Sequence, residues 1–157
     1  MSRKRKRVVS VGLGSCGVAA GAREIYEHLQ RVIADERLPV ALRRVGCVGT
    51  CYNEPLVDVA VDGRSAVTYG RVTVEDAERI LREHALKGRP IEDLIVRREG
   101  EVDPFFERQQ RIVLRNCGHI DPENVGDYLQ AGGYQALESV LASYGTNNGK
   151  VKILSGE

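Results

Sequence analysis

The chain has 157 residues, 42% of them hydrophobic and 29% charged, and a net charge of +1. That is the composition of one globular domain of ordinary size, able to bury a core without disulfides. The near-neutral balance, the absence of tryptophan and the two phenylalanines argue against a broadly basic nucleic-acid binder and against a stacking platform for single strands.

The elements are read in chain order. MSRKRKR is the one basic cluster, and residues 1–6 read as a solvated, disordered end. No leader core follows, since VVSVGLG is short and glycine-broken, and no run approaches the roughly 20 apolar residues of a membrane span. The expected compartment is the cytoplasm. Residues 7–14 form a valine-rich strand. A helix is expected from Gly17 or Val18 to Ala34, because Ala22, Ile25, Leu29, Val32 and Ile33 recur at helical spacing. VALRRV (40–45) gives a second strand, and a loop carrying Cys47 and Cys51 follows it. LVDVAV (56–61) gives a third strand, Asp62-Gly63 a hairpin turn, and SAVTY (65–69) a fourth. Thr73 and Asp76 stand in capping-box positions before a second helix, whose apolar face is Val74, Ala77, Ile80, Leu81 and Ala85; Gly88 and Pro90 stop it.

The order is β-α-β-β-β-α, with one parallel pair across a helical crossover and an antiparallel hairpin beside it. This predicts an α/β chain of thioredoxin-like order, a mixed sheet with flanking helices. VRREGEVDPF (96–105) is charged and aperiodic and places a boundary near residue 100. Asp103-Pro104 and Asp121-Pro122 each read as an N-cap followed by proline in the first helical position. Residues 121–145 predict two short helices broken at Gly132-Gly133. The expected division is therefore 7–100, a helical segment 101–145 and a loose tail 146–157.

Gly12-Leu13-Gly14-Ser15-Cys16-Gly17 spells G-x-G-x-x-G between a strand and a helix, the dinucleotide fingerprint. The acid that should accept the ribose is missing from the end of the second strand, which reads Arg44-Val45-Gly46. Asp35 and Glu36 belong to the preceding helix, and no second mononucleotide half follows. The glycines have a better use in letting the backbone approach whatever the Cys16 sulfur holds. No NAD or FMN is expected on this chain alone.

The four cysteines carry the chemistry. Cys16 closes the first β-to-α turn, and Cys47 and Cys51 share a C-x3-C loop with Gly46 and Gly49. In the expected layout both loops lie at one end of the sheet, so three thiols converge. A metal, an iron–sulfur cluster, a thiol-redox pair at Cys47 and Cys51, or plain burial all stay open. Zinc and [2Fe–2S] sites each want four ligands.

Three stretches make the chain recognisable: SCGVAAGAREIYEHLQ, VGCVGTCYNEPLVDV and VTYGRVTVEDAERILREHALKGRPIEDLIV. In order and spacing, across about residues 7–97, they resemble the thioredoxin-like [2Fe–2S] ferredoxin family. The resemblance implies a [2Fe–2S] cluster with Cys16, Cys47 and Cys51 as ligands. The remaining early cysteine of the C-x4-C members falls on Val11, which cannot bind iron. Cys117, in RNCGH, is the candidate fourth ligand. Ser10, Ser15 and His28 are weaker candidates, and His84 and His119 are expected to be exposed. DPFFERQQRIVLRNCGHIDPENVGDYLQAGGYQALESVL resembles the segment that joins such a domain to the flavin-binding domain. That arrangement occurs in flavoprotein subunits of complex I-type NADH dehydrogenases and of NAD(P)-linked hydrogenases and formate dehydrogenases.

Two functions follow as expectations. One is an electron-transfer domain of an NAD(P)H-linked oxidoreductase complex, not catalytic alone, that carries the cluster. The other is a clusterless docking module. The expected partners are other subunits of a redox complex, of flavoprotein or ferredoxin type, or a second copy of the chain.

Overall fold

The computed structural model describes residues 7–62, 65–101 and 107–144. The expected basic end, the Asp103-Pro104 cap and the tail lie outside the described residues. Five strands form one sheet in the order β2-β1-β3-β4-β5: β1 Arg7–Gly12, β2 Ala41–Val45, β3 Val57–Val61, β4 Val67–Tyr69 and β5 Ile95–Arg98. β1 and β2 are parallel, and the remaining neighbours are antiparallel. The first helical run is two helices, α1 Ser15–Ala19 and α2 Ala22–Asp35. Gly21 separates them at φ 101°, a conformation that only glycine adopts without strain. α3 Val74–Ile80 begins with the expected reciprocal cap, in which Thr73 Oγ1 accepts from the Asp76 N–H and Asp76 Oδ2 accepts from the Thr73 N–H. It widens into a π-helical turn over Leu81–Leu86.

The register sorts the two faces. Val9, Val11, Val57, Val59, Val67 and Tyr69 pack against Ile25 and Leu29 of α2 and Ala77 and Ile80 of α3, all buried. Across the other face runs a polar row in register: Arg43, Ser10, Asp58, Thr68 and Arg97. Alternation places these residues opposite the valines, because successive side chains in a strand point to opposite sides. Thr68 donates to the Asp58 carboxylate, and Arg97 donates to Thr68 Oγ1 at 3.3 Å.

Beyond the split of the first helix, the structure adds one strand and corrects two expectations. β5 was missed because IVRR is a short, charged edge strand without alternation, and its pairing with β4 carries a register shift at Thr68/Tyr69. His84 is buried, 7% exposed, with Nδ1 2.8 Å from the Tyr69 hydroxyl, which also accepts the Ile91 N–H. The cap before α4 Val125–Gln130 is Asn124, whose Oδ1 accepts from Gly126 and Asp127, and not Asp121. α5 Gln135–Tyr144 follows the Gly132-Gly133 break as expected. His119 is exposed as expected, and His28 Nε2 lies 2.9 Å from Glu78 Oε2, bridging α2 and α3. Among the described residues no helix is long and apolar enough to cross a membrane.

Candidate metal centre

The strand ends bring two loops together. The Leu13 N–H donates to the Val45 carbonyl at 2.9 Å, and the Gly12 N–H donates to the Leu56 carbonyl at 3.1 Å. The first turn therefore lies between the exit of β2 and the entry to β3. The three glycines of the G-x-G-x-x-G stretch serve this closure. A β-carbon on Gly14 would stand 2.7 Å from Cys47 Cβ, and one on Gly17 would stand 2.3 Å from the Gly12 carbonyl oxygen. A side chain on Gly14 would push the loops apart, and one on Gly17 would clash within the first turn itself.

Cys47 Sγ and Cys51 Sγ are 3.6 Å apart. The Gly49 N–H donates to Cys47 Sγ at 3.3 Å, which the loop permits because Gly49 sits at φ 99°. Cys47 is half-buried, and burial pushes its thiol up despite that N–H. Cys51 is exposed and heads a 3₁₀ turn over Cys51–Asn53. Cys16 is exposed in α1, on the turn that Gly14 packs against Cys47.

The connecting segment folds back onto this loop. Arg111 donates to the Val48 carbonyl at 3.0 Å, and a β-carbon on Gly118 would meet Val48 Cγ1 at 2.4 Å. Cys117, half-buried, thus neighbours a residue packed on the neighbour of Cys47. Arg44 ties the same segment to the sheet edge through Asp121 at 3.2 Å and Glu123 at 2.6 Å.

Glu54 was not among the sequence candidates. Its residue is 9% exposed, its carboxyl lies over Gly12 and Gly17, and Oε2 accepts the Leu56 N–H at 2.9 Å. Oε1 is buried without a hydrogen-bond partner. Burial lifts its pKa above the usual glutamate value. Glu54-Pro55 is a cis peptide, and the only sequence signal was an acid directly before that proline.

A [2Fe–2S] cluster takes four ligands, usually thiolates. The loop supplies two thiols in contact, and the adjacent turn carries a third. Val11, where the resembled family places another cysteine, is fully buried among core valines. Ser10, beside it, lies on the polar face in register with Asp58. Among the described residues no group of three or more His, Cys, Asp or Glu side chains is placed to hold a metal ion. The donor set as folded does not complete a four-thiolate site.

No family model matches the chain. It is 32% identical to the NADP-reducing hydrogenase subunit HndB of Solidesulfovibrio fructosivorans over 95 residues, 60% of this chain and 75% of HndB. It is 33% identical to a 2Fe-2S ferredoxin of Aquifex aeolicus over 86 residues, 53% of this chain and 74% of the ferredoxin. It is also 51% identical over 35 residues, 22% of this chain and 7% of that one, to the NADP-reducing hydrogenase subunit HndC of S. fructosivorans. Among solved structures, the thioredoxin-like [2Fe-2S] ferredoxin of A. aeolicus superposes with a TM-score of 0.52 at 25% identity, covering 59% of this chain and 97% of that one. With the sheet order, the paired cysteine loop and two relatives matched over about three quarters of their length, the chain belongs to the thioredoxin-like [2Fe–2S] ferredoxin family.

Proposed function

We propose that this chain is the electron-transfer domain of an NAD(P)-linked, hydrogenase-type redox complex in the cytoplasm, not catalytic by itself. The observation that carries the reading is the C-x3-C loop. Its sulfurs are in contact, it is braced by a backbone N–H, and it is pressed against the turn that presents Cys16. Cys16, Cys47 and Cys51 are the side chains that would hold a [2Fe–2S] cluster, which supplies one-electron transfer when bound. A fourth ligand has to come from Cys117, on the segment packed against Val48, or from outside the chain. Residues 7–100 form the ferredoxin-type unit and 101–145 the connecting segment. Ile112, Val113, Leu137 and Leu141 of that segment are at least half exposed, which supports assembly with other subunits. FMN and NAD belong to those partners in this reading.

A second reading, a clusterless docking module, is favoured by one observation: the family's fourth position is a core valine. Anaerobic purification with iron and sulfide analysis and a visible spectrum separates the two. The electron-transfer reading expects a brown protein with two irons per chain; Cys117→Ala bleaches it where the connecting segment supplies the fourth ligand and leaves it brown where that ligand comes from outside the chain. A colourless wild type that turns brown as Val11→Cys is a ferredoxin that has lost its cluster. If neither protein takes iron on anaerobic reconstitution, the docking module stands.

A further inference from the structure

The C-x3-C pair has a capacity that metal binding does not use. Among the described residues it is the one pair of cysteine sulfurs in contact, at 3.6 Å. A disulfide needs about 2.05 Å, so the sulfurs must close by roughly 1.5 Å, the scale of a side-chain rotation. The space beside the two loop glycines is open, with nothing within 4 Å of where β-carbons on Gly46 or Gly49 would stand. The two thiols are also unequal. Cys47 is wedged behind Gly14 and half-buried, whereas Cys51 is exposed at the head of its turn. An exposed thiol that meets the oxidant and a sheltered one in contact with it make an exchange pair.

We propose that Cys47 and Cys51 form a reversible dithiol–disulfide couple, a thiol-redox site that takes low-molecular-weight disulfides as oxidant when no metal occupies the loop. The Cys51 thiolate attacks one sulfur of R–S–S–R, forming Cys51–S–S–R and releasing RS⁻. The Cys47 thiolate then attacks Cys51 Sγ, forming the intramolecular bond and releasing the second RS⁻. The two protons given up by the protein thiols end on the two leaving thiolates as RSH. The protein loses two electrons and the small disulfide gains them. The oxidised form has spent two of the three thiolates named above, so it excludes iron until a thiol reduces it.

The proposal rests on the sulfur geometry and not on the electron-transfer reading, and its test reads a different quantity. The full chain, stripped of iron by a chelator under argon, is equilibrated with glutathione disulfide and glutathione. It is then alkylated and examined by intact mass and peptide mapping. The expected result is a Cys47–Cys51 cross-link that reverses with excess glutathione and removes those two of the four cysteines from alkylation, with no glutathione retained on either of them. The Cys16→Ser/Cys117→Ser double variant, which leaves the pair intact, should form the same cross-link. Cys47→Ser should instead trap glutathione on Cys51. Four alkylatable cysteines in fully oxidising glutathione, stable glutathione adducts on both Cys47 and Cys51 of the wild type, or a cross-link from Cys16 to either would each overturn it.

Discussion

Residues 7–98 and residues 107–144 treat their apolar side chains in opposite ways. In the first region Ile25, Leu29, Val57, Val59 and Ile80 are at most 2% exposed, and α2 and α3 close over one face of the sheet. In the second, the apolar residues of α4, α5 and the turn before them stay at the surface; Val113 is 91% exposed and Leu137 50%. Both regions have helical sequence with caps and glycine stops. The difference is what each helix finds to lie against. α2 has a sheet beneath it, so its stripe becomes a core. α5 has ten residues and no such floor, and a helix of that length draws its stability from packing. The second region is held to the first by Arg44, Arg111 and Gly118, contacts that gather around β2 and the cysteine loop.

The comparison breaks most visibly under truncation. Leu29→Ala should destabilise the fold by about 2–5 kcal/mol, the usual range for a buried leucine. Leu137→Ala should change it by no more than about 0.5 kcal/mol, as for a surface position. Urea titrations of both variants measure the two values on one scale. Equal costs would mean that the face of α5 is buried in solution against another copy.

A smaller effect sharpens the junction between turn and loop. Gly14→Ala forces a β-carbon against Cys47 Cβ and should cost about 1–3 kcal/mol, the range for overpacking. Because the clash is at the cysteine loop, the same variant should also alkylate faster at Cys47 than the wild type. Unchanged stability with unchanged alkylation would show that the loops do not meet.

The smallest effect is a dependence on pH. Burial raises the Glu54 pKa, so the folded chain holds that proton more tightly than the unfolded chain does. Below the ordinary glutamate value both states are protonated. As pH rises past it, the unfolded chain releases its proton first, and wild-type stability falls and stays lower at neutral pH. Glu54→Gln does not titrate. It should melt higher than the wild type at neutral pH, and the gap should close as the pH falls below the ordinary glutamate range. Thermal melts across about pH 3 to 8 record the gap. A gap of the opposite sign at neutral pH would mean that a cation partners the buried carboxylate.

Much of the first region was legible in the sequence because its signals are local. The alternation in VDVAV, the stripe at Ala22, Ile25 and Leu29, and the Thr73–Asp76 cap are written in neighbouring residues, and they set the strands, the crossover helix and the loop that carries Cys47 and Cys51. β5, the burial of His84 and the placement of Glu54 depended on partners distant in the chain. β5 is a strand only because β4 offers it an edge. His84 is buried because Tyr69 supplies a hydroxyl for its ring nitrogen. Glu54 lies over the first turn because Gly12 and Gly17 leave room where β-carbons would stand. Sequence spacing put Val11 where a relative would carry a thiolate, while the pairing of β1 with β3 decided that this side chain belongs to the core. The type of the elements other than β5 was settled by short-range periodicity and capping, whose energies act within a few residues. Which side chains meet at the cysteine loop was settled by tertiary contacts between the strand ends and the connecting segment, which couple residues dozens of positions apart.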